Sequence, residues 1–242
     1  ILWMYCMNFG LKPLEQFVSI PGNPKITVLL KRNKRSRRMS LRVSRIRGKV
    51  SLSMPMSCPV EQAKSFLTEK ELWIRNNLTL LPETTQIIFG NNVLYRGKKT
   101  LICAGEGKKV KQIASKLIVP GPERAVASQV KAFLKFQARE ALYSTTDHYS
   151  KILGQSYKKI TLRDTISRWG SCSVTGNINY SWRLIMAPIE VLNYVAAHEV
   201  AHLVEMNHSK KFWSVVEDLF PNYSQQRSWL KHYGEDLHCY KF

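Results

Sequence analysis

The chain has 242 residues, of which 44% are hydrophobic and 22% are charged, a composition typical of a folded globular protein rather than a disordered or fibrous one. It carries 37 basic and 17 acidic residues, for a formal net charge of +20, and this excess favours a polyanionic partner. Residues 1–121 hold 22 of the basic and 6 of the acidic residues, so the positive charge belongs mainly to the first half.

The five cysteines are scattered along the chain and never form a CxxC pair, which indicates neither a disulfide framework nor a cysteine-based zinc knuckle. A reducing cytoplasm is the location that this usage predicts. The apolar opening, residues 1–7, has no basic leader and is too short for a signal peptide or a membrane span, so no membrane partner is expected.

Three segments of the first half alternate between apolar and polar residues and predict a β-meander: Ile26 to Leu30, 39–43 and 50–54. Pro59 then opens a stretch with helical spacing, with Ser57 as the N-cap, which predicts one amphipathic helix to about Leu80. Residues 87–119 alternate again and end at Pro120-Gly121-Pro122, where we expect a domain boundary.

The second half is predicted to be mainly helical. Two strands, 157–162 and 177–184, separate a helix over about 123–153 from helices over 188–206, 209–220 and about 222–233. The expected fold class is therefore α+β, with a basic, β-rich N-terminal module (residues 1–121) that contains one amphipathic helix, followed by a catalytic domain (residues 122–242).

The segment His198-Glu199-Val200-Ala201-His202 matches the HExxH pattern. Pro188 suits a first helical position, and the apolar residues that follow it support a helix through the motif. Two histidines four residues apart lie on one helix face, about 6 Å apart along the axis, where both imidazoles can bind one metal ion. Glu199 then lies beside the open coordination position, where a carboxylate can take a proton from metal-bound water.

A catalytic zinc ion needs a third protein ligand and leaves its fourth position to water. His208 is the leading candidate, because it follows His202 at the spacing of HExxHxxGxxH metalloproteases. Glu205 stands where that pattern has glycine, so we expect the chain to turn at Asn207, a residue type that tolerates the left-handed conformation. The alternative third ligands are carboxylates: Glu205, Glu217 and Asp218.

Four further segments accompany the motif: Arg168 to Ser173, Gly176 to Ile178, Ala187-Pro188 and Asn207 to Trp213. Together with it they resemble the YgjP-like metallopeptidase family, related to SprT and WLM proteins, over about residues 157–234 and more loosely over the N-terminal part. The resemblance implies a zincin-like catalytic domain in which His198, His202 and His208 hold one zinc ion and Glu199 is the general base. Because the family label rests largely on the motif, it indicates the metal site better than the substrate.

The expected function is a zinc-dependent hydrolase that cleaves protein or peptide substrates. A metal-dependent nucleoside-triphosphate pyrophosphatase, for example on UTP, is one alternative, because a triphosphate suits a strongly basic protein and metal-bound hydroxide also attacks phosphorus. A non-catalytic nucleic-acid-binding protein with a structural metal is the other; it is disfavoured, because a structural site needs four protein ligands.

Residues 31–49 contain ten basic residues and no acidic one. This run is either a solvated strand face or a surface that contacts the phosphates of nucleic acid or nucleotides. No aromatic residue interrupts the run, so it offers no platform for base stacking.

Other residues near the motif receive weaker predictions. Residues 168–173 form either a cleft wall or a turn with Trp169 in the core, and Cys172 is a small buried residue rather than a nucleophile. The candidates for an oxyanion donor are Tyr223, Arg227 and His232, although each is more readily explained as structural. One apolar stripe is expected on the helix after the motif: Phe212, Trp213, Val216, Leu219 and Phe220.

Overall fold

The computed structural model describes residues 16–44, 46, 48–81 and 83–242. The chain divides into two compact units, Ile1–Pro82 and Glu83–Phe242, and each unit has its own hydrophobic core. Helices and sheets occur in both units, as the predicted α+β class requires. No helix among the described residues combines the length and the apolar character that a membrane crossing demands.

The described part of the first unit holds a four-stranded sheet and two helices. In chain order these are β1 (Gln16–Ile20), β2 (Ile26–Arg32), β3 (Ser40–Val43), β4 (Val50–Met54), α1 (Val60–Glu69) and α2 (Glu71–Thr79). Every second residue of β4 is buried, which is the pattern of a strand with one face on a core. That core also contains Ala63 and Leu67 of α1 and Ile74 of α2.

The predicted meander is wrong in its strand order, which is β1-β2-β4-β3. β2 and β4 are parallel neighbours, and β3 pairs antiparallel with β4 at the sheet edge. Alternation identifies the residues that form strands, but it carries no information about which strands pair. The predicted single helix is also interrupted, because Lys70 has ψ of 8° where a helix needs about −42°. Pro59, rather than Ser57, is the N-cap of α1.

The second unit begins with short strands and a long helix. These are β5 (Thr85–Gln86), β6 (Asn92–Tyr95), β7 (Lys98–Gly105), β8 (Lys111–Ile113), β9 (Lys116–Pro120) and α3 (Val126–Leu153). Strands β6 to β9 form a sheet in the order β6-β7-β9-β8. Buried residues recur on α3 at four-residue steps, which is one face of a helix: Val126, Val130, Leu134, Ala138, Leu142 and Thr146.

The division after residue 82 differs from the predicted boundary at residue 121. Val93, Ile102 and Leu117 of the four-stranded sheet are buried in the same core as α3, so residues 83–121 belong with the second half. The segment around Gly121, with φ of 89°, makes only a turn between β9 and α3.

The remaining elements include the helix that carries the HExxH motif. They are β10 (Lys159–Arg163), β11 (Gly170–Cys172), β12 (Asn177–Ser181), α4 (Ile189–Ala201), α5 (Lys210–Leu219), α6 (Ser224–Tyr233) and β13 (Tyr240–Lys241), which pairs with β5. The order β10-β12-β11 places β11 at an edge, antiparallel to β12, whereas β10 is parallel to β12. Most residues of α4 are buried, because α3, α5, α6 and β11 all contact this helix.

Candidate metal centre

The HExxH motif lies at the C-terminal end of α4. Pro188 is the N-cap of this helix, and His202 is the first residue beyond its last turn. His198 and His202 are therefore one turn apart on the same side of the helix. Leu203 and Val204 donate to carbonyls three residues earlier, and these bonds tighten and end the helix.

His208 comes back to the motif because α5 begins directly after it. Ser209 is the N-cap of α5, and its Oγ accepts the N–H of Phe212 at 3.3 Å. The expectation of a left-handed turn at Asn207 is wrong, since the described non-glycine residues with positive φ lie elsewhere. The N–H of Ser209 instead donates to the carbonyl of Asn207 at 2.7 Å, directly before α5.

The three histidines converge. Each offers a ring nitrogen, and the three nitrogens lie within 4.8 Å of one another. The Nε2 atoms of His198 and His208 are 3.1 Å apart, and the ring centroids of His202 and His208 are 4.8 Å apart. The imidazoles that the spacing selected therefore form one cluster.

Burial and a hydrogen bond prepare His198 and His202 to act as ligands. Nδ1 of His202 donates to the carbonyl of Glu205 at 2.9 Å, because a carbonyl only accepts, and this leaves the lone pair on Nε2. Burial, followed by the neighbouring His202 and His208, lowers the pKa of His198 to about 3. The pKa of His202 is lowered as well, chiefly by burial. Neutral imidazoles are the form that binds metals.

Glu199 is buried beside the cluster, with 4% of its surface exposed. Burial raises the pKa of its carboxyl to about 8, and the charge of Arg168 acts in the opposite direction. Its Oε2 atom is buried without a hydrogen-bond partner among the described residues. A buried carboxyl with a pKa near neutrality is suited to proton transfer.

Gly170 on β11 makes room for this carboxyl, and sequence reasoning missed it. A Cβ at this position would lie 2.6 Å from Cγ of Glu199 and in closer contact with its Oε1. The one available indication was a glycine between predicted strands, which often marks a close approach of another group. Residues 170–172 form a strand rather than the predicted loop or turn, and Trp169 packs against the core while remaining partly exposed.

Aromatic side chains enclose the histidines. Phe212 is fully buried and lies 4.4–4.9 Å from all three imidazole rings, measured between centroids. Tyr223 stacks between Tyr194 and Trp213, at 6.1 and 5.0 Å. The predicted apolar stripe on α5 is confirmed, and its first residue, Phe212, is also a wall of the site.

None of the alternative carboxylate ligands joins the histidine cluster within the described parts of the chain. Glu205 contributes its backbone carbonyl to His202. Glu217 accepts the N–H of Asn222 at 3.2 Å, and Asp218 is exposed on α5.

The three candidate oxyanion donors occupy different positions. The guanidinium of Arg227 lies 4.5 Å from the ring centroid of Trp213, and its charge contributes to the lowered pKa of His198. Tyr223 belongs to the aromatic stack. Nδ1 of His232 lies 2.8 Å from the Ser228 carbonyl, within α6. Cys172 is half-buried, and burial together with the charge of Glu199 raises the pKa of its thiol to about 11.

The basic run of residues 31–49 lies in the first unit. Arg45 and Arg47 fall outside the described residues. Arg32 donates to the carbonyls of Met56 and Cys58, both at 2.7 Å. The other basic side chains of the run are exposed: Lys31, Lys34, Arg35, Arg37, Arg38, Arg42 and Lys49.

Comparison with known proteins places this site in a family context. The family model for the YgjP-like metallopeptidase domain matches residues 37–233. One matching solved structure is the metallopeptidase zymogen abylysin of Pyrococcus abyssi; it is 25% identical, with a TM-score of 0.34, and the match covers 38% of this chain and 94% of that one. No curated protein matches. Because the family match covers most of the sequence, the chain belongs to the YgjP-like metallopeptidase family.

Proposed function

We propose that the protein is a zinc-dependent peptidase in which His198, His202 and His208 hold one zinc ion and Glu199 is the general base. The observation that carries this proposal is the convergence of three imidazole nitrogens within 4.8 Å beside a buried carboxyl. Membership of a metallopeptidase family supports a metal-dependent hydrolase, and the zinc ion and the roles of individual residues are our inference.

The ligand type fits zinc, and the closest pair of imidazole nitrogens has the spacing of zinc ligands. Ligands at about 2.0–2.1 Å from a tetrahedral zinc ion are separated by about 3.3 Å, and the Nε2 atoms of His198 and His208 are 3.1 Å apart. Within the described chain, no fourth His, Cys, Asp or Glu joins the cluster. Three protein ligands with one open position are the arrangement of a catalytic site, whereas a structural site uses four.

The chain's own residues supply the proton transfers. A bound zinc ion would supply a Lewis acid for the peptide carbonyl and for water. Glu199 would accept a proton from the attacking water on a carboxylate oxygen and deliver it to the leaving amine nitrogen. Burial raises the pKa of this carboxyl, whereas the charge of a bound zinc ion would favour the carboxylate form that accepts the proton.

Neighbouring residues hold the ligands in place. The carbonyl of Glu205 fixes the tautomer and orientation of His202, in the way that outer partners orient metal-bound histidines. Phe212 packs against all three rings, so the rings keep their positions and water is excluded from that side.

The test is one mixture of an unfolded protein and the common nucleoside triphosphates, incubated with zinc-loaded wild type or Glu199→Gln and then analysed by mass spectrometry. We expect new peptide termini with the wild type and a loss of about 1000-fold or more in Glu199→Gln, whose zinc content stays unchanged. Nucleoside monophosphates beside intact protein would replace the peptidase proposal with phosphoanhydride hydrolysis. Equal activity of the wild type and Glu199→Gln would show that Glu199 is not the general base.

A further inference from the structure

A cavity of about 280 Å³ lies on the β10-β12-β11 sheet, and its lining includes Arg163 and Arg168. Neither guanidinium forms a hydrogen bond or ion pair with another described residue. The adjacent acid, Asp164, does not neutralise them, because its carboxylate is bound to Arg183 at 2.7 Å. The charge of Arg168 also acts on Glu199, whose pKa it lowers, but no acid is bound to either guanidinium. Two positive charges at one small cavity favour an anionic ligand.

The rest of the lining is uncharged: Thr165, Gly170, Ser171, Asn179 and Tyr180. Nδ2 of Asn179 donates to Oγ of Ser171 at 3.3 Å, so the Ser171 hydroxyl hydrogen remains available to a ligand. A cavity that offers two guanidinium groups and a hydroxyl suits a carboxylate, which binds two N–H donors of arginine at once.

Ser171 of the cavity and the side chain of Glu199 lie on opposite faces of β11. Gly170 faces α4, because a Cβ there would touch the side chain of Glu199. Ser171, the next residue, therefore faces the other side, where it contacts Asn179. The register of β10 with β12 brings Arg163 to that same face. Gly170 also lines the cavity, so the cavity borders the proposed zinc site without including the three histidines.

The edge position of β11 gives a peptide access to both faces. In the described chain, β11 pairs with β12 alone, so its second edge is available for hydrogen bonding. An extended peptide that pairs with an edge strand presents alternate side chains to opposite faces of the sheet. A substrate along β11 would direct one set of side chains toward α4 and the other toward the arginines.

We propose that this cavity is a specificity pocket for one acidic side chain, Asp or Glu, of the peptide substrate, with Arg163 and Arg168 binding its carboxylate. The identity of the ligand rests on the proposed peptidase function. The charge of the cavity and its position on the sheet do not depend on that proposal. Because neighbouring residues of an extended peptide face opposite sides, the preference applies to single positions and not to their immediate neighbours.

The experiment measures binding without turnover, on the zinc-loaded full chain carrying Glu199→Gln. Fluorescently labelled seven-residue alanine-rich peptides carry one Glu that is moved through all positions, and a matched series carries Gln. We expect the Glu peptide to bind about tenfold more tightly than its Gln partner at one position or at positions two apart. Adding Arg163→Gln and Arg168→Gln should abolish this difference.

Lys135→Gln is the matched control, since it removes an exposed positive charge from α3 of the same unit and should leave the preference intact. If Glu peptides bind more tightly than Gln peptides by the same factor at every position, the preference comes from overall charge, and the proposal of a pocket is wrong. Inorganic phosphate that binds more tightly than any Glu peptide, through the same arginines, would overturn the carboxylate assignment. If wild type cleaves no peptide while the positional preference persists, the peptidase proposal fails and the pocket stands.

Discussion

Gly170 packs directly against Glu199, and even a methyl group at this position would meet the carboxyl. We expect Gly170→Ala to lower kcat/KM by about 100-fold, because small displacements of a catalytic group have effects of that size. Zinc content should not change, since the histidines lie elsewhere. Activity and metal content of the purified variant are the measurements.

Cys172→Ala is the matched control for that variant. Cys172 lies two residues further along β11, on the side of Glu199, and the substitution removes atoms instead of adding them. Its thiol has a raised pKa and no part in the proposed reaction, so activity should stay within about threefold of wild type. A similar loss in both variants would show that β11 is merely sensitive to change.

His208 and Glu205 differ in what they offer a metal. We expect His208→Ala to lower zinc affinity by about 100-fold or more, because losing a ligand exceeds the 10–100-fold effect of losing an outer partner. Glu205→Ala should retain wild-type affinity, because His202 contacts the backbone carbonyl of residue 205, which alanine also has. Competition with a zinc chelator measures both. Zinc loss in Glu205→Ala alone would make that carboxylate the third ligand.

At the scale of elements, the C-terminal segment is attached to the 3-10 turn that precedes α4. Arg183 in this turn donates to Asp164 at 2.7 Å and to the Leu237 carbonyl at 2.8 Å. The ring of Phe242 packs edge-on against Trp182, with centroids 5.2 Å apart. The turn that leads into the HExxH helix is therefore stabilised by the chain end.

The Asp164–Arg183 pair predicts a pH-dependent contribution to stability. Burial alone would raise the pKa of Asp164, but the hydrogen bond and charge of Arg183 outweigh it and lower the pKa. Such a carboxyl stabilises the fold above its unfolded pKa of about 3.9, and this contribution disappears as pH falls through the lower folded value. We expect the free energy of unfolding of the wild type to exceed that of Asp164→Asn by about 1 kcal/mol at pH 7. Solvent screening of this partly exposed pair keeps the difference small.

Urea unfolding of both chains at pH 7, 5 and 3 measures that difference. It should be similar at pH 7 and 5 and approach zero as pH falls below about 4, where the protonated Asp164 resembles asparagine. A difference that is constant over the whole range would mean that the charge of Asp164 contributes nothing.

At the scale of the whole molecule, the exposed basic run of the first unit predicts salt-dependent binding to polyanions. We expect Arg35→Gln, Arg37→Gln and Arg38→Gln together to reduce the slope of log affinity against log salt, by about 0.9 for each DNA phosphate that the protein no longer neutralises. Fluorescence anisotropy with a labelled DNA duplex measures the slope. Lys108, Lys109 and Lys111 are also exposed, so their replacement by Gln is the matched control. If the slope changes equally in both triple variants, the effect comes from net charge and not from the basic run.

The parts of the site that follow from spacing along one segment could be predicted from the sequence. His198, Glu199 and His202 share one helical turn, and His208 lies one short connection beyond it, so local geometry brings them together. Gly170 could not be predicted, because its contact with Glu199 depends on how β11 packs against α4. The role of Phe212 beside the three rings depends in the same way on the packing of α5.

For the fold, too, local patterns could be predicted from the sequence and contacts between distant segments could not. Alternation and helical spacing located most strands and helices, because burial of one face is a local pattern. The parallel pairing of β2 with β4 and the assignment of residues 83–121 to the second unit depend on contacts between distant segments. Those contacts leave no periodic trace in the sequence.

The two separate cores have a consequence for protein engineering. The core around the metal centre draws on residues from Ile87 to Leu237, whereas the core of the first unit draws on residues from Ile20 to Ile74. A fragment that starts at Glu83 should therefore fold alone and take up zinc with the stoichiometry of the full chain, which metal analysis and thermal unfolding would check. The first unit would then be an exchangeable part, and a domain of known binding specificity joined before Glu83 would bring the second unit to a chosen target.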